Sequence, residues 1–164
     1  MKWLNPELGA LRKIGGLLML VAVFFAKPVL AGEATDTLKT TVDSLLAVMS
    51  QSDLDDAAKK AQVSDIVAGK VDWNATSQRI LAKNWKKATD DEKDQFKSLF
   101  KNVLTNTYYT LLKSYTDEEV LYLGEKIKKE RYAFVDTQIV SGGKKIPVTY
   151  RMIKRQDEWK IYDF

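Results

Sequence analysis

The densest acidic cluster of this 164-residue chain comprises Asp90, Asp91, Glu92 and Asp94. Carboxylates can bind a divalent cation or act as a general acid and base. The spacing of these four, however, spreads them around a helix and does not bring them to one point. Negative charge is also favoured at the positive end of a helix dipole, which accounts for the same residues without a site. We therefore predict that the cluster begins a helix, with a metal or acid–base site as the alternative.

Catalytic chemistry is restricted, because the chain contains no cysteine and no histidine. This composition excludes cysteine nucleophiles, Ser-His-Asp triads and Cys/His zinc sites. A carboxylate and a phenol could still transfer protons, for example Asp136 or Asp163 with Tyr150, and Asp72 is a further candidate. This enzymatic hypothesis requires a carboxylate and a phenol to converge inside a cavity.

Two basic segments could meet anionic groups. Gly142-Gly143-Lys144 has the composition of a phosphate-binding loop, but a P-loop has a longer frame and leads into a helix. We expect a hairpin turn there. The run Lys126, Lys128, Lys129, Arg131 could contact anionic lipid headgroups or an acidic partner, and a solvated loop is the simpler interpretation.

The N-terminal segment has the layout of a secretory signal peptide. Two basic residues precede the apolar run from Ile14 to Ala26, and small or neutral residues before position 32 offer a cleavage site. The run is shorter than the about 20 residues of a spanning helix, and an uncleaved anchor is the alternative. Without residues 1–31 the net charge of +4 falls to about +1, which removes the main support for a nucleic-acid partner. We predict a signal peptide over 1–31 and a single domain over 32–164.

Residues 85–115 predict a long amphipathic helix. Thr89 and Glu92 form a Thr-x-x-Glu capping box at its start. Apolar residues then recur at three- and four-residue steps over about 26 residues, roughly 39 Å of helix. The predicted apolar face comprises Phe96, Leu99, Phe100, Val103, Leu104, Thr107, Tyr108, Leu111, Leu112 and Tyr115. So long a face requires a large partner surface.

The rest of the pattern predicts an α+β domain. Helical spacing indicates helices over 35–50, from 53 to about 67 with Gly69 as a stop, and from about 72 to the Lys86-Lys87 pair. After the long helix, residues rich in β-branched and aromatic side chains indicate strands at 119–127, 131–140, 146–154 and 158–164. Pro147 indicates a sheet edge or a bulge. We predict N-terminal helices packed against a curved antiparallel sheet.

Aromatic side chains are placed on both predicted layers. Trp73, Trp85, Phe96, Phe100, Tyr108 and Tyr109 lie on helices, and Tyr132, Phe134, Tyr150, Trp159 and Tyr162 lie on strands. They are explained either by an ordinary aromatic core or by an apolar cavity that a ligand fills. The sequence pattern is the same for a fully packed core and for a core that surrounds a ligand cavity.

A series of short motifs follows in a fixed order along the chain: Val71-Asp72-Trp73, residues 81–89, Phe96 with Phe100 and Leu104, Thr107-Tyr108, residues 146–151, and residues 159–163. Their order and spacing over about residues 38–164 resemble the toluene-tolerance, or MlaC, family. Ala82 departs from the resemblance, because the family often has glycine there. The chain also stops at Phe164, where relatives usually continue, which implies a less complete closure of the pocket.

The resemblance implies a non-enzymatic phospholipid carrier in the periplasm of a Gram-negative bacterium. Carriers of this family hold acyl chains in an apolar pocket and help to maintain outer-membrane lipid asymmetry. The implied partners are an inner-membrane ABC-transporter complex and an outer-membrane lipoprotein complex, with phospholipid as ligand, no metal or cofactor, and a monomeric chain. The implied lipid-binding residues are Leu81, Trp85, Phe96, Phe100, Leu104, Tyr108, Val148, Tyr150, Trp159 and Tyr162.

Two other functions remain as alternatives. One is an accessory subunit of an envelope complex, which would have a solid interior and no ligand. The other is the Asp/Tyr enzyme described above. A carrier agrees with the composition, because transferring lipid between membranes breaks no bond, whereas exposing acyl chains to water costs about 0.8 kcal/mol per methylene.

Overall fold

Over the described residues 32–114 and 118–164 of this computed structural model, helices come first along the chain and strands follow. The helices are α1 (Glu33–Ser50), α2 (Asp56–Lys70), α3 (Trp73–Leu81) and α4 (Asp90–Lys113), with a 3₁₀ turn at Ala82–Asn84. The strands are β1 (Glu119–Lys128), β2 (Tyr132–Ser141), β3 (Lys144–Arg155) and β4 (Glu158–Asp163). The α+β prediction is confirmed. The predicted signal peptide and Tyr115 lie outside the described residues.

Local capping explains where three of the helices begin. Asp55 accepts a hydrogen bond from the N–H of Ala58 at the start of α2, and Asp72 does the same for Ala75 at the start of α3. Thr89 and Glu92 form the predicted capping box at the start of α4, with reciprocal hydrogen bonds of 2.8 and 3.2 Å. The prediction that the acidic cluster begins a helix is confirmed.

The end of α2 differs from the prediction. Gly69 does not stop this helix, which continues to Lys70. Val71 then forms a parallel bridge with Ile161 of β4, and the N–H of Asp72 donates to the Ile161 carbonyl at 2.8 Å. The helix therefore ends where a contact with the sheet draws the chain into an extended conformation.

The strands form an antiparallel sheet in the order β1-β2-β3-β4. Turns of two or three residues connect them, and two residues of each turn have positive φ, which suits the twist of a hairpin. The turn residues are Lys129 and Glu130, Gly142 and Gly143, and Gln156 and Asp157. The predicted Gly-Gly hairpin turn is confirmed. Irregularities in β1 between Tyr122 and Gly124, and in the β3–β4 pairing at Arg151/Met152, bend the sheet locally.

Pro147 lies on an edge, as predicted. It pairs with Gln138 on one side, but β4 pairs only with residues 151–155 of β3. The missing N–H of the proline therefore breaks no ladder hydrogen bond with β4.

Two buried clusters form the core. The first lies between α1 and the sheet and comprises Ala34, Leu38, Ala133, Val135, Met152 and Trp159. The second joins α1, α2 and α4 through Val48, Val63 and Tyr109. The Tyr109 hydroxyl also donates to the carboxylate of Asp56 at 2.8 Å, which fixes α4 against the start of α2.

The apolar face of α4 is narrower than the sequence predicts. Leu99, Val103 and Leu111 are 57–59% exposed, whereas Thr105 and Tyr109 are buried. The neighbouring helices cover the side of α4 that carries Thr105 and Tyr109. Apolar spacing alone therefore overestimates how much of this helix is covered.

Candidate functional site

An apolar cavity of about 220 Å³ lies between the helices and the sheet. The helices contribute Leu38, Thr41, Val42, Leu45, Leu46, Val67, Lys70, Leu104, Tyr108 and Leu112. The sheet and the segments beside it contribute Val71, Val120, Ile139, Tyr150, Ile161 and Phe164. Nearly all of this lining is aliphatic or aromatic, so the cavity suits a ligand with long apolar parts.

Helical periodicity places the cavity residues of α1 and α4 on facing stripes. Leu38, Val42 and Leu45 recur at steps of three and four residues, and Leu104, Tyr108 and Leu112 recur at steps of four. Each set therefore lies along one side of its helix. The cavity is the space that these two stripes leave above the sheet.

Strand alternation supplies the floor of the cavity. Val120 of β1 lies opposite Ile139 of β2, and Tyr150 of β3 lies opposite the buried Val135 of β2. Residues opposite each other in an antiparallel pair point to the same face of the sheet. The floor therefore continues the face that carries the first core cluster.

Three aromatic rings meet at one part of the lining. The ring of Phe164 lies 5.5 Å from that of Tyr108 in an edge-to-face arrangement and 6.1 Å from that of Tyr150, centroid to centroid. Burial raises the pKa of Tyr108 to about 12, and the nearby Tyr150 adds to this shift. Burial also raises the pKa of Tyr150. Both phenols are therefore neutral at physiological pH, which keeps this part of the cavity uncharged.

The structure brings three of the ten predicted lipid-binding residues into the lining: Leu104, Tyr108 and Tyr150. Leu81 and Phe96 line an open surface groove near the start of α4. Phe100 stacks on Phe96 at 5.7 Å. Their role in binding lipid stays a prediction.

The remaining four predicted residues lie elsewhere in the fold. Lys93 lies over the Trp85 ring at 5.5 Å, and Tyr162 packs edge-on against Tyr132 at 6.2 Å. Trp159 is buried in the first core cluster. Val148 accepts a hydrogen bond at its carbonyl from the Thr137 hydroxyl. Each lies outside the cavity lining, and its part in lipid binding also stays a prediction.

The family motifs do not include the cavity residues of α1. The signal that could have identified them is the apolar stripe of the first helix, which carries Leu38, Val42, Leu45 and Leu46. Ile139 and Ile161 could not be assigned by pattern alone. Alternation shows that they share a face with core residues, but not that this face borders an unfilled space.

None of the three carboxylates of the enzymatic hypothesis lines the cavity with Tyr150. Asp136 is exposed and accepts a hydrogen bond from Thr149 at 2.6 Å, one position along β3 from Tyr150. Since successive strand residues point to opposite faces, this carboxylate and the Tyr150 phenol lie on opposite sides of the sheet. Asp163 pairs with Arg79 and Arg151, and Asp72 pairs with Arg155.

The acidic cluster of α4 is engaged in local interactions. Asp90 pairs with Lys93 at 3.0 Å and Asp94 with Lys97 at 2.6 Å, while Glu92 belongs to the capping box. Across residues 32–114 and 118–164 no group of three or more acidic side chains is arranged to hold a metal ion. In the same part of the chain no helix is both long enough and apolar enough to cross a membrane.

Four helices, an antiparallel sheet and an apolar cavity between them define this chain as a small α+β protein that encloses an apolar interior space. A family model described as MlaC protein matches residues 39–164. The chain belongs to the MlaC family, so the resemblance found in its motifs is confirmed.

A search of solved structures finds a phospholipid-binding protein from Ralstonia solanacearum in complex with a phospholipid. The two chains are 26% identical and superpose with a TM-score of 0.68, over 80% of this chain and 76% of the other. Among curated proteins, none matches the chain.

Proposed function

We propose that this protein is a periplasmic phospholipid carrier that holds acyl chains in the cavity between α1, α4 and the sheet. The observation that carries the proposal is the apolar cavity, in a family member whose structural relative is described in complex with a phospholipid. An apolar lining offers acyl chains an environment like that of the membrane. Lipid can therefore leave a bilayer without exposing its chains to water. That exposure would cost about 0.8 kcal/mol per methylene.

Lipid entry requires the cavity to widen. Its volume of about 220 Å³ lies below the roughly 300–1,000 Å³ of typical ligand pockets. Two of its walls are separate helices, α1 and α4. We expect them to separate when acyl chains enter, because the strands of the sheet are tied together by hydrogen-bonded ladders.

We further propose that the carrier passes lipid between an inner-membrane ABC-transporter complex and an outer-membrane lipoprotein complex, and that it is exported by its N-terminal segment. The support is membership of the MlaC family. On this proposal the chain performs no reaction, because the transfer of an intact lipid makes and breaks no covalent bond.

The test is organic extraction of the purified protein followed by mass spectrometry, with uptake of added phospholipid by delipidated protein. We expect phospholipid in stoichiometric amounts from the native chain. Leu104→Trp places a larger ring in the cavity and is expected to lower lipid recovery severalfold. Val103→Trp is the matched control, since Val103 is the neighbouring residue of α4 and is 59% exposed.

The outcome also separates the carrier from the alternatives. Recovery of no phospholipid, together with no uptake of added lipid, would contradict the carrier and favour an accessory subunit without a ligand. Equal loss of lipid in both tryptophan variants would show that the cavity is not the binding site.

A further inference from the structure

A polar groove of about 500 Å³ adjoins the apolar cavity. Its lining includes Lys70 and Lys154, together with the carboxylates of Glu33, Asp157 and Glu158. Lys70 also lines the apolar cavity, so the two spaces share a wall at the end of α2. This arrangement suits lysine, whose methylene stem is apolar while its ammonium group is charged.

The first helix links the same two spaces. Thr37 lines the groove, and Thr41, one turn further along α1, lines the cavity. The groove and the cavity therefore lie next to each other along α1.

Most charges in the groove are already paired, but two are not. Lys154 pairs with Glu33 at 2.9 Å, and Glu158 pairs with Lys160 at 2.6 Å. Among the described residues Lys70 and Asp157 form no salt bridge or side-chain hydrogen bond. Lys70 attracts Glu158 and Asp157 attracts Lys154 across the groove, but within the described part of the chain neither Lys70 nor Asp157 is held by a direct contact.

We propose that this groove binds the headgroup of a zwitterionic aminophospholipid, with Lys70 facing the phosphate and Asp157 facing the primary ammonium group. The proposal rests on the carrier function proposed above and adds a selectivity to it. An anionic headgroup without an amine would bring negative charge beside Asp157 and gain no partner for it. A zwitterion complements both Lys70 and Asp157.

The test uses delipidated full chain loaded from vesicles that contain equal amounts of phosphatidylethanolamine and phosphatidylglycerol with the same acyl chains. Extracted lipid is quantified by mass spectrometry. We expect enrichment of phosphatidylethanolamine by about two- to fivefold, the range of an exposed charge pair. Asp157→Asn is expected to bring the ratio back to that of the vesicles.

The proposed contact of Lys70 with the phosphate is tested with a lipid that lacks the phosphate. Native protein should take up phospholipid in preference to a diacylglycerol with the same chains, and Lys70→Gln should reduce that preference. Lys60→Gln on the same helix and Asp65→Asn are the matched controls, because both residues are exposed and line neither space.

The outcomes separate this proposal from the carrier function. Uptake at the vesicle ratio in the native protein, or an unchanged ratio in Asp157→Asn, overturns the headgroup site while the carrier stands. No uptake of any phospholipid overturns both. Free phosphoethanolamine that binds as tightly as the whole lipid would identify a soluble zwitterion as the ligand and overturn the lipid assignment.

Discussion

Glu125 of β1 accepts two hydrogen bonds from Thr35 at the start of α1, one from the backbone N–H at 2.7 Å and one from the hydroxyl at 2.6 Å. The first residue before this helix, Gly32, offers no side-chain cap. A carboxylate 90 positions further along the chain therefore satisfies the N-terminus of α1 and joins the helical layer to the sheet.

Glu125→Gln is expected to destabilise the protein by about 1–2 kcal/mol, because the amide keeps the shape but loses the charge that the helix N-terminus favours. Urea denaturation measures the change. Glu119→Gln, at an exposed position of the same strand, is the control. Equal stability of the two variants would contradict the role of Glu125 as a cap.

Gly32→Ala tests the same contact from the other side. A Cβ at this position would overlap the Glu125 carboxylate, so that side chain would have to move away. We expect the variant to lose stability in the native background and to lose much less in a Glu125→Ala background. Additive losses in a double-mutant cycle would show that the two residues do not interact.

Ala82→Gly is expected to stabilise the protein by about 1 kcal/mol. Ala82 has φ +47° and ψ −118°, a conformation that is costly for a residue with a Cβ and open to glycine. Ala47→Gly, in the middle of α1, is the control and should cost about 1 kcal/mol. A destabilising Ala82→Gly would contradict the strain.

Leu38→Ala and Leu99→Ala should differ sharply, although both leucines lie on helices with apolar residues at helical spacing. Leu38 is 1% exposed in the first core cluster, and its truncation is expected to cost about 2–5 kcal/mol. Leu99 is 58% exposed, and its truncation should change the free energy of unfolding by about 0.5 kcal/mol or less. Similar losses in chemical denaturation would mean that Leu99 is covered in solution.

Alkaline pH should destabilise the fold through Tyr108. Burial raises the pKa of its phenol from 10.0 to about 12, so the folded state favours the protonated form. This contribution is fully present below pH 10 and is lost as the pH rises through the window from 10 to 12. Tyr108→Phe should flatten the fall of stability in that window. A native protein whose phenols all titrate near pH 10 would contradict this prediction.

Acidic pH should weaken the contact between α1 and the sheet. The hydrogen bond from Lys154, assisted by that from Trp159, lowers the pKa of Glu33 below 4.5. Its contribution to stability is present above pH 4.5 and is lost as the pH falls through the lowered pKa. We expect the fluorescence of Trp159 to titrate in this range and Glu33→Gln to abolish that change, with Trp159→Phe identifying the signal.

Local signals were sufficient for many features of the fold. The capping box at Thr89 and Glu92 and the turn at Gly142 and Gly143 depend on residues only a few positions apart, so the sequence alone predicts them. The end of α2 was not predictable in this way. It depends on the bridge from Val71 to Ile161, between residues far apart along the chain.

The candidate site was predictable only in part. The motif order assigned the chain to its family, and three of the ten residues that it implied, Leu104, Tyr108 and Tyr150, line the cavity. It did not separate them from Trp159, which has the same apolar character and lies in the filled core. Hydrophobicity indicates that a side chain leaves water, but not whether another side chain fills the space beside it.

The sequence by itself determined the order of helices and strands, most of the local starts and turns, the family, and the absence of histidine and cysteine chemistry. Capping, turn geometry and periodicity act over a few residues and can be read directly. Only the tertiary structure decided that Glu125 caps α1, that α1 forms a wall of the cavity, and that Lys70 borders both the cavity and the polar groove. These relationships join residues that are distant along the chain, and packing alone brings them together.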